Sequence, residues 1–200
     1  MKRKITYNET FHDHPINTNR EKNQGCDEKI LEIIESSFNS ILEKHSKIFC
    51  LRFDVRYPKD DILYDKNKIY DFNYNLKRSL KREKIQGGHR VDPILLSVAE
   101  KHNEDHSHYH YFLLVNGNSH RRTTQIHEKA NSLWSKMNNS NEVGLVDFCN
   151  KNGKNGIMID KNSDDFEQKY NEAFYQASYL AKIRGKEHPD KGSWRVKKSR

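Results

Sequence analysis

Two histidines separated by one residue, in His108-Tyr109-His110, are the part of this sequence best suited to chemistry. The motif runs into the apolar stretch YFLLV, which predicts that it lies in a β-strand. Because alternate residues of a strand point to the same face, both imidazoles would project together and can bind one divalent ion. Glu100, on the preceding predicted strand, can reach the same place across a hairpin. Two imidazoles and a carboxylate with open positions suit a catalytic Mg²⁺ or Mn²⁺ better than a closed structural zinc site.

Histidine is abundant in this chain, with 11 in 200 residues, so pairs of the type H-x-H can arise by chance. Two further pairs occur, His12-Asp13-His14 in a polar segment and His106-Ser107-His108 at a predicted turn. The simplest alternative is therefore that the strand histidines lie on a solvated face. The apolar strand that follows His110, and Glu100 on the partner strand, favour a metal site instead.

A second pattern lies in the segment Tyr175-Gln-Ala-Ser-Tyr179-Leu-Ala-Lys182. At 3.6 residues per turn, Tyr175, Tyr179 and Lys182 fall within roughly 60° of one another on a helix. The predicted packing stripe lies on the opposite side and comprises Phe166, Tyr170, Ala173, Ala177 and Leu180. A phenol is a poor nucleophile at its usual pKa of about 10, but a polarised phosphate and a nearby cation such as Lys182 would make it effective. The alternative is a pair of ordinary surface tyrosines.

The composition is basic, with 36 Lys and Arg against 28 Asp and Glu and a net charge of +8. This surplus suits a polyanionic partner, and it would equally suit an acidic membrane surface or serve solubility alone. No apolar run approaches the roughly 18 residues that span a bilayer, and the N-terminus lacks the apolar region of a secretory signal. The three cysteines lack C-x-x-C spacing and indicate reduced thiols. We therefore expect a cytoplasmic protein with no membrane partner.

The elements that must position these residues can be placed from hydrophobic periodicity and turn residues. Helices are expected at 27–47, 67–84, 123–137 and 164–184, and strands at 49–57, 93–100, 108–116, 142–149 and 156–160. Ser163 is expected to cap the last helix. We predict an irregular or flexible, basic polar arm at 1–26, one domain at 27–185 and a basic tail at 186–200. The fold class is α+β, with a central, mainly antiparallel sheet of about five strands and flanking helices.

These motifs resemble those of the HUH endonucleases of rolling-circle replication. That family has a strand with His, a hydrophobic residue and His, followed by a helix with one or two catalytic tyrosines and a nearby lysine. His108-Tyr109-His110 matches the first motif, and the spacing Y-x-x-x-Y-x-x-K matches the two-tyrosine branch. More narrowly, the chain is similar to the inovirus Gp2 type, the YagK/YfjJ C-terminal domain family of phage and prophage proteins. The similar stretches are DVRYP, HYHYFLLVNG, GLVDF and DDFEQKYNEAFYQASYLAK, from about residue 30 to 185.

The resemblance implies a ferredoxin-like or RRM-like sheet that holds Mg²⁺ or Mn²⁺ on His108 and His110, with Glu100 as third ligand. It implies nicking and joining of single-stranded DNA at a replication origin, through a 5′-phosphotyrosine on Tyr179 or Tyr175. No G-x-x-x-x-G-K-[ST] motif occurs, so a helicase and a polymerase of the bacterial host would be needed. The basic residues expected to bind DNA are Arg184, Lys186, Arg195, Lys197 and Lys198.

Two other functions remain open at this point. A prophage DNA-binding or regulatory protein could keep the same fold without turnover, and it would bind DNA in a salt-dependent way without forming a covalent adduct. A tyrosine HUH transposase would join donor and target strands, and the spacing of the two tyrosines is less typical of that class.

Overall fold

The computed structural model describes residues 4–58, 65, 67–83, 85, 87–100, 108–149 and 155–183. Its strands are β1 (Ile5–Thr6), β2 (Thr10–Phe11), β3 (His14–Pro15), β4 (Cys26–Asp27), β5 (Lys47–Val55), β6 (Ile94–Glu100), β7 (His108–Asn116), β8 (Val146–Asp147) and β9 (Ile157–Asp160). Its helices are α1 (Glu28–Leu42), α2 (Lys68–Lys81), α3 (Thr123–Asn138) and α4 (Phe166–Ser178), and a short 3-10 helix (Tyr179–Ala181) follows α4 directly.

The main sheet has five strands, and every pairing in it is antiparallel. β5 is central: β7 pairs along one side of it, and β6 pairs with β7 at the edge. On the other side of β5, β9 pairs with its first residues and β8 with its last two. The predicted α+β class with a five-stranded antiparallel sheet is confirmed.

Helices cover both faces of this sheet because its strands are apolar on both sides. On one face α1 and α4 pack against the strands, with the rings of Phe38 and Phe112 5.8 Å apart. On the other face α2 and α3 pack against the strands, with the rings of Phe72 and Trp134 5.2 Å apart. Burial of each such ring contributes about 1.5–3 kcal/mol, so the two clusters fix the strand register firmly.

The face that carries α1 and α4 changes from apolar to polar along its length. On β5 buried Cys50 gives way to Asp54, and on β7 buried Phe112 gives way to His110. The register places Asp54 opposite His110, and Glu100 of β6 opposite His108. The polar side chains of three strands therefore meet at one end of the sheet.

Three predicted helix ends differ from the structure, and one of them is that of α2, which ends at Lys81 and not at 84. α1 begins where expected, because the Asp27 side chain accepts a hydrogen bond of 3.0 Å from the backbone N–H of Lys29, but it ends at Leu42 and not at 47. Residues 47 and 48 instead belong to β5, where they pair with β9. The sheet pairing thus takes backbone groups that periodicity alone assigns to the helix.

The last helix is also shorter than predicted, ending at Ser178 before the 3-10 helix. Lys182 is extended, because it pairs with Cys26, and the N–H of Ile183 donates to the carbonyl of Gly25 at 3.1 Å. Ser163 is not the N-cap: Asp165 holds that position, and the Ser163 hydroxyl bonds to the Asp165 side chain. The predicted strand 142–149 is reduced to Val146–Asp147, because a turn at positive φ (Gly144, 83°) precedes it.

The N-terminal segment is not the irregular or flexible arm that the sequence predicts. Within residues 4–27, β1 pairs with β4 and β2 pairs with β3. His14 Nδ1 lies 2.8 Å from the side-chain oxygen of Asn171, and the N–H of Asn17 donates to the Ser178 hydroxyl at 2.8 Å. His14 thus has a structural contact, and so has His12, whose Nδ1 lies 3.0 Å from a carboxylate oxygen of Glu35. These bonds involve backbone and polar groups, which hydrophobic periodicity does not detect.

Candidate metal centre

The two strand histidines lie together, as their spacing predicts. The rings of His108 and His110 are 4.5 Å apart at 83° to each other, and both side chains rise from the same face of β7. His110 is only 2% exposed, whereas His108 is half-buried at the opening of the site. The alternative of two histidines on a solvated face is therefore wrong for His110.

Asp54 is one of two residues of the site that sequence reasoning missed. Its carboxylate lies 2.7 Å from His110 Nδ1, and Asp54, His108 and His110 each place one ligand atom within 4.8 Å of the others. This group can hold a metal ion. The stretch DVRYP contains Asp54, but only the register of β5 against β7 brings it opposite His110.

Glu100 lies at the other nitrogen of the His110 ring. Its Oε2 is within hydrogen-bond distance of His110 Nε2 and 3.8 Å from His108 Nε2. Glu100 is therefore beside both imidazoles, where the sequence predicts it, although its role as a ligand stays a prediction. Asp54, Glu100, His108 and His110 are called the histidine–carboxylate cluster below.

The chemistry of these donors fits a cation. A carboxylate only accepts hydrogen bonds, so His110 donates from Nδ1 to Asp54. If Nε2 carries no proton, it presents a lone pair to the Glu100 carboxylate. The Nε2 lone pair and the Glu100 carboxylate are then both hydrogen-bond acceptors. They attract each other only through a proton or a metal ion between them. A carboxylate on the far nitrogen of a histidine is also the usual way in which a metal ligand is oriented.

Tyr179 lies directly beside this cluster. Its ring is 5.0 Å from the ring of His110, at 84°, and the side chain is half-buried. Lys182 Nζ lies 5.3 Å from the centre of the Tyr179 ring and donates to Gln24 Oε1 at 3.2 Å. Tyr175 lies one helical turn earlier on α4 and is 43% exposed. Of the two tyrosines, Tyr179 is the one whose ring packs on a cluster histidine.

Arg52 was also missed, and it links the tyrosine to the cluster. Its guanidinium carbon lies 3.7 Å from the centre of the Tyr179 ring, and its Nη2 lies 3.7 Å from Asp54 Oδ1. Its Nε is buried and has no hydrogen-bond partner among the residues that the structure describes. A cation in an otherwise apolar central strand, two residues before Asp54, is the signal that could have identified it.

Charge around Tyr179 opposes loss of its proton. Burial raises the pKa of Tyr179 above its usual value, and the charges of Glu100 and Asp54 raise it further. Arg52 acts the other way, through its charge and a hydrogen bond. The phenol is therefore held neutral unless more positive charge is present in the cluster.

The pKa values of Asp54 and of the neighbouring Cys149 thiol are shifted in opposite directions. Burial pushes the pKa of Asp54 up, but the hydrogen bond from His110 and the charges of His110 and Arg52 outweigh burial and keep that pKa below its usual value. Burial is the first of several causes that raise the pKa of Cys149, beside Asp54, to about 11. Asp54 is therefore an anion at neutral pH, whereas Cys149 carries its proton.

The structure does not describe the residues predicted to bind DNA. Arg184, Lys186, Arg195, Lys197 and Lys198 lie outside the described residues, as does the predicted turn 101–107. Cys26, Cys50 and Cys149 are free thiols. Among the helices in the described ranges, none combines the length and the apolar character needed to cross a membrane.

The fold and the cluster define an α+β domain with a candidate metal centre at one end of an antiparallel sheet. The family model of the YagK/YfjJ C-terminal domain matches residues 6–193, which is nearly the whole chain. The chain therefore belongs to the YagK/YfjJ C-terminal domain family. The match includes most of the N-terminal segment that packs on α4. Comparison with curated proteins and with solved structures gives no significant match.

Proposed function

We propose that this protein is an HUH-type endonuclease of the inovirus Gp2 kind. It nicks and rejoins single-stranded DNA at a replication origin in a bacterial cell, and so starts rolling-circle replication of a phage or related mobile element. The observation that carries the proposal is the position of Tyr179, whose ring lies 5.0 Å from His110 of the histidine–carboxylate cluster. A nucleophile of the required type thus lies next to groups that can hold a metal ion.

His108 and His110 would hold a divalent cation through Nε2, with Glu100 as the oxygen ligand between them. Asp54 would orient His110 through Nδ1, with which it already pairs at 2.7 Å. Two nitrogens and one carboxylate with further positions open to water or phosphate suit Mg²⁺ or Mn²⁺. Bound there, the cation would polarise a phosphate oxygen and offset the carboxylate charge that keeps the Tyr179 phenol neutral.

Tyr179 would be the nucleophile of the first cleavage. Its phenolic oxygen bonds to phosphorus as the bond between phosphorus and the 3′ oxygen breaks. The phenol loses its proton and the 3′ oxygen gains one, which leaves a 5′-phosphotyrosine and a free 3′-hydroxyl. That hydroxyl would prime a host polymerase, while a host helicase unwinds the duplex. Tyr175 would act in the closing transfer, and Lys182 would add positive charge beside Tyr179.

Arg52 would position the nucleophile and favour its anion. A guanidinium stacked on the phenol ring fixes the ring plane, and its charge stabilises the developing phenolate. Tyr179 therefore lies between the metal ligands and a fixed cation.

The proposal is tested by incubating the full chain with labelled single-stranded oligonucleotides of random sequence and Mn²⁺, followed by a denaturing gel. We expect a covalent protein–DNA band that requires the metal and disappears with a chelator. If the Tyr175→Phe, Tyr179→Phe double variant still forms the band, the tyrosine assignment is wrong. Salt-sensitive binding with no band under any divalent metal would instead favour a regulatory protein. Joining of donor and target strands would favour a transposase.

Arg52→Gln is expected to slow adduct formation by about 10²–10³-fold, the usual effect of removing one donor from a developing charge. Arg52→Lys should recover only part of the rate, since an ammonium does not stack as a planar guanidinium does. The measurement is single-turnover cleavage at saturating DNA, with affinity determined separately. The matched control is Arg56→Gln, which removes an exposed arginine paired with Asp147 at 3.7 Å. Equal rates for Arg52→Gln and Arg56→Gln would exclude the positioning role.

A further inference from the structure

Helix α2 carries an exposed row of aromatic and basic side chains. Tyr70 is 42% and Tyr74 is 64% exposed, and Arg78 and Lys81 are exposed beyond them. The spacings i, i+4, i+8 and i+11 place all four within roughly 80° on the helix. We call Tyr70, Tyr74, Arg78 and Lys81 the α2 stripe.

The α2 stripe is not part of the buried side of the helix. The helix is held to the sheet by its other side, through Ile69, Phe72, Leu76 and Leu80, which are buried. In the described part of the chain, neither Arg78 nor Lys81 forms an ion pair with an acidic side chain. The rings of Tyr70 and Tyr74 and the side chains of Arg78 and Lys81 are thus exposed to solvent in large part.

The charge of this end of α2 is strongly positive. Lys77, Arg78, Lys81 and Arg82 provide four cations within six residues and no acid. Lys77 is largely buried, and burial together with the charge of Lys81 lowers its pKa to about 8. Lys81 therefore lies close enough to Lys77 to oppose its protonation, so the field here attracts anions.

The α2 stripe lies on the opposite face of the sheet from the histidine–carboxylate cluster. The same strand, β6, contributes to the cluster on one face and contacts α2 on the other. Among the described strands β6 pairs with β7 alone, so it forms an edge. Its Glu100 points to the cluster, whereas its Ser97 accepts a bond of 3.5 Å from Asn73 on α2. A flexible polymer would reach α2 from the cluster by passing around this edge.

We propose that the α2 stripe binds single-stranded DNA outside the cleavage site, with bases stacked on Tyr70 and Tyr74 and phosphates on Arg78 and Lys81. Aromatic rings beside cations on an exposed surface are the combination by which single strands are held without sequence preference. The choice of partner rests on the proposed function. The net charge of +8 agrees with a polyanion, and paired duplex bases would not be free to stack on the rings.

The test measures binding of a fluorescent oligonucleotide of about 20 nucleotides, longer than one cleavage site needs. Tyr70→Ala, Tyr74→Ala is expected to weaken binding about tenfold or more, whereas Tyr70→Phe, Tyr74→Phe should bind as wild type because the rings remain. Arg78→Gln, Lys81→Gln should lower the slope of log K against log salt by about 1.4. The control is Lys29→Gln on α1 combined with Lys44→Gln just after its end, both exposed, which should leave affinity nearly unchanged.

The outcomes separate this proposal from the proposed function. Suppose that wild type binds DNA, that the variants change binding as expected, and that no adduct ever forms. The proposed nicking activity is then rejected, whereas DNA binding by the α2 stripe is supported. If wild type forms the adduct and the alanine double variant binds as tightly as wild type, the α2 stripe is overturned. Should the alanine variant not fold, the salt slope decides, and an unchanged slope in Arg78→Gln, Lys81→Gln rejects the proposal. Failure of wild type to bind single strands rejects it as well.

Discussion

Tyr179→Phe is expected to abolish the covalent protein–DNA adduct. Phenylalanine keeps the ring that stacks under Arg52 and beside His110, but it lacks the oxygen that attacks phosphorus. Loss of a nucleophile lowers turnover on the order of 10⁴-fold or more when the rest of a site is intact. The measurement is the rate of adduct formation on a denaturing gel, with Mn²⁺ and saturating oligonucleotide. DNA affinity should change little, since the ring and the cluster remain.

Tyr175→Phe is the matched comparison, because it removes the other hydroxyl of the same motif. Tyr175 is 43% exposed, whereas Tyr179 is half-buried against the cluster. We expect Tyr175→Phe to keep the first cleavage and to slow the later joining step. The reverse pattern, with adduct kept in Tyr179→Phe and lost in Tyr175→Phe, would show that Tyr175 attacks first.

The sequence was sufficient for the part of the site that follows from local periodicity. The alternation that places His108 and His110 on one face of β7 is a property of any strand. The hairpin to β6 also brought Glu100 beside them, because the two predicted strands follow each other in the chain. Four helices were likewise expected, and all four are present. Their ends were predicted less accurately than their existence.

Asp54 and Arg52 could not be found in this way, because their place depends on the register between distant strands. β5 and β7 are more than fifty residues apart, and a slip of one residue would turn both side chains to the opposite face. The register is set by buried side chains on both faces of β5, such as Cys50 and Phe53. Long-range packing therefore decides which acid meets His110.

The predicted end of α4 was wrong for a related reason. A helix continued to residue 184 would keep Tyr175, Tyr179 and Lys182 in one row, as periodicity predicts. The structure turns to a 3-10 helix at Tyr179, and Lys182 pairs with Cys26 of the N-terminal segment. Tyr179 thus lies at the helix end, over His110, while Tyr175 stays on the body of α4. The N-terminal segment acts on the site by fixing that end.

His110→Ala is expected to remove stabilisation of the protein by divalent metal. A ligand that binds only the folded state at 100 times its dissociation constant adds about 2.7 kcal/mol to the free energy of unfolding. Wild type should therefore melt at a higher temperature with Mn²⁺ than with a chelator, and His110→Ala should melt equally in both. Melting is measured without DNA, so the result does not depend on catalysis.

The variants around His110 separate metal binding from general loss of stability. His110 is buried between Asp54 and Glu100, so its removal leaves two acids without their shared partner and lowers stability even in chelator. Asp54→Asn keeps the shape, and it should weaken metal affinity by about 10–100-fold if Asp54 orients His110. His45→Ala is the control, since His45 also pairs with an acid (Asp92, 3.1 Å) but lies near the opposite end of β5. It should retain the full metal effect. If Mn²⁺ still raises the melting temperature of His110→Ala, the ion binds elsewhere and the cluster is not the metal centre.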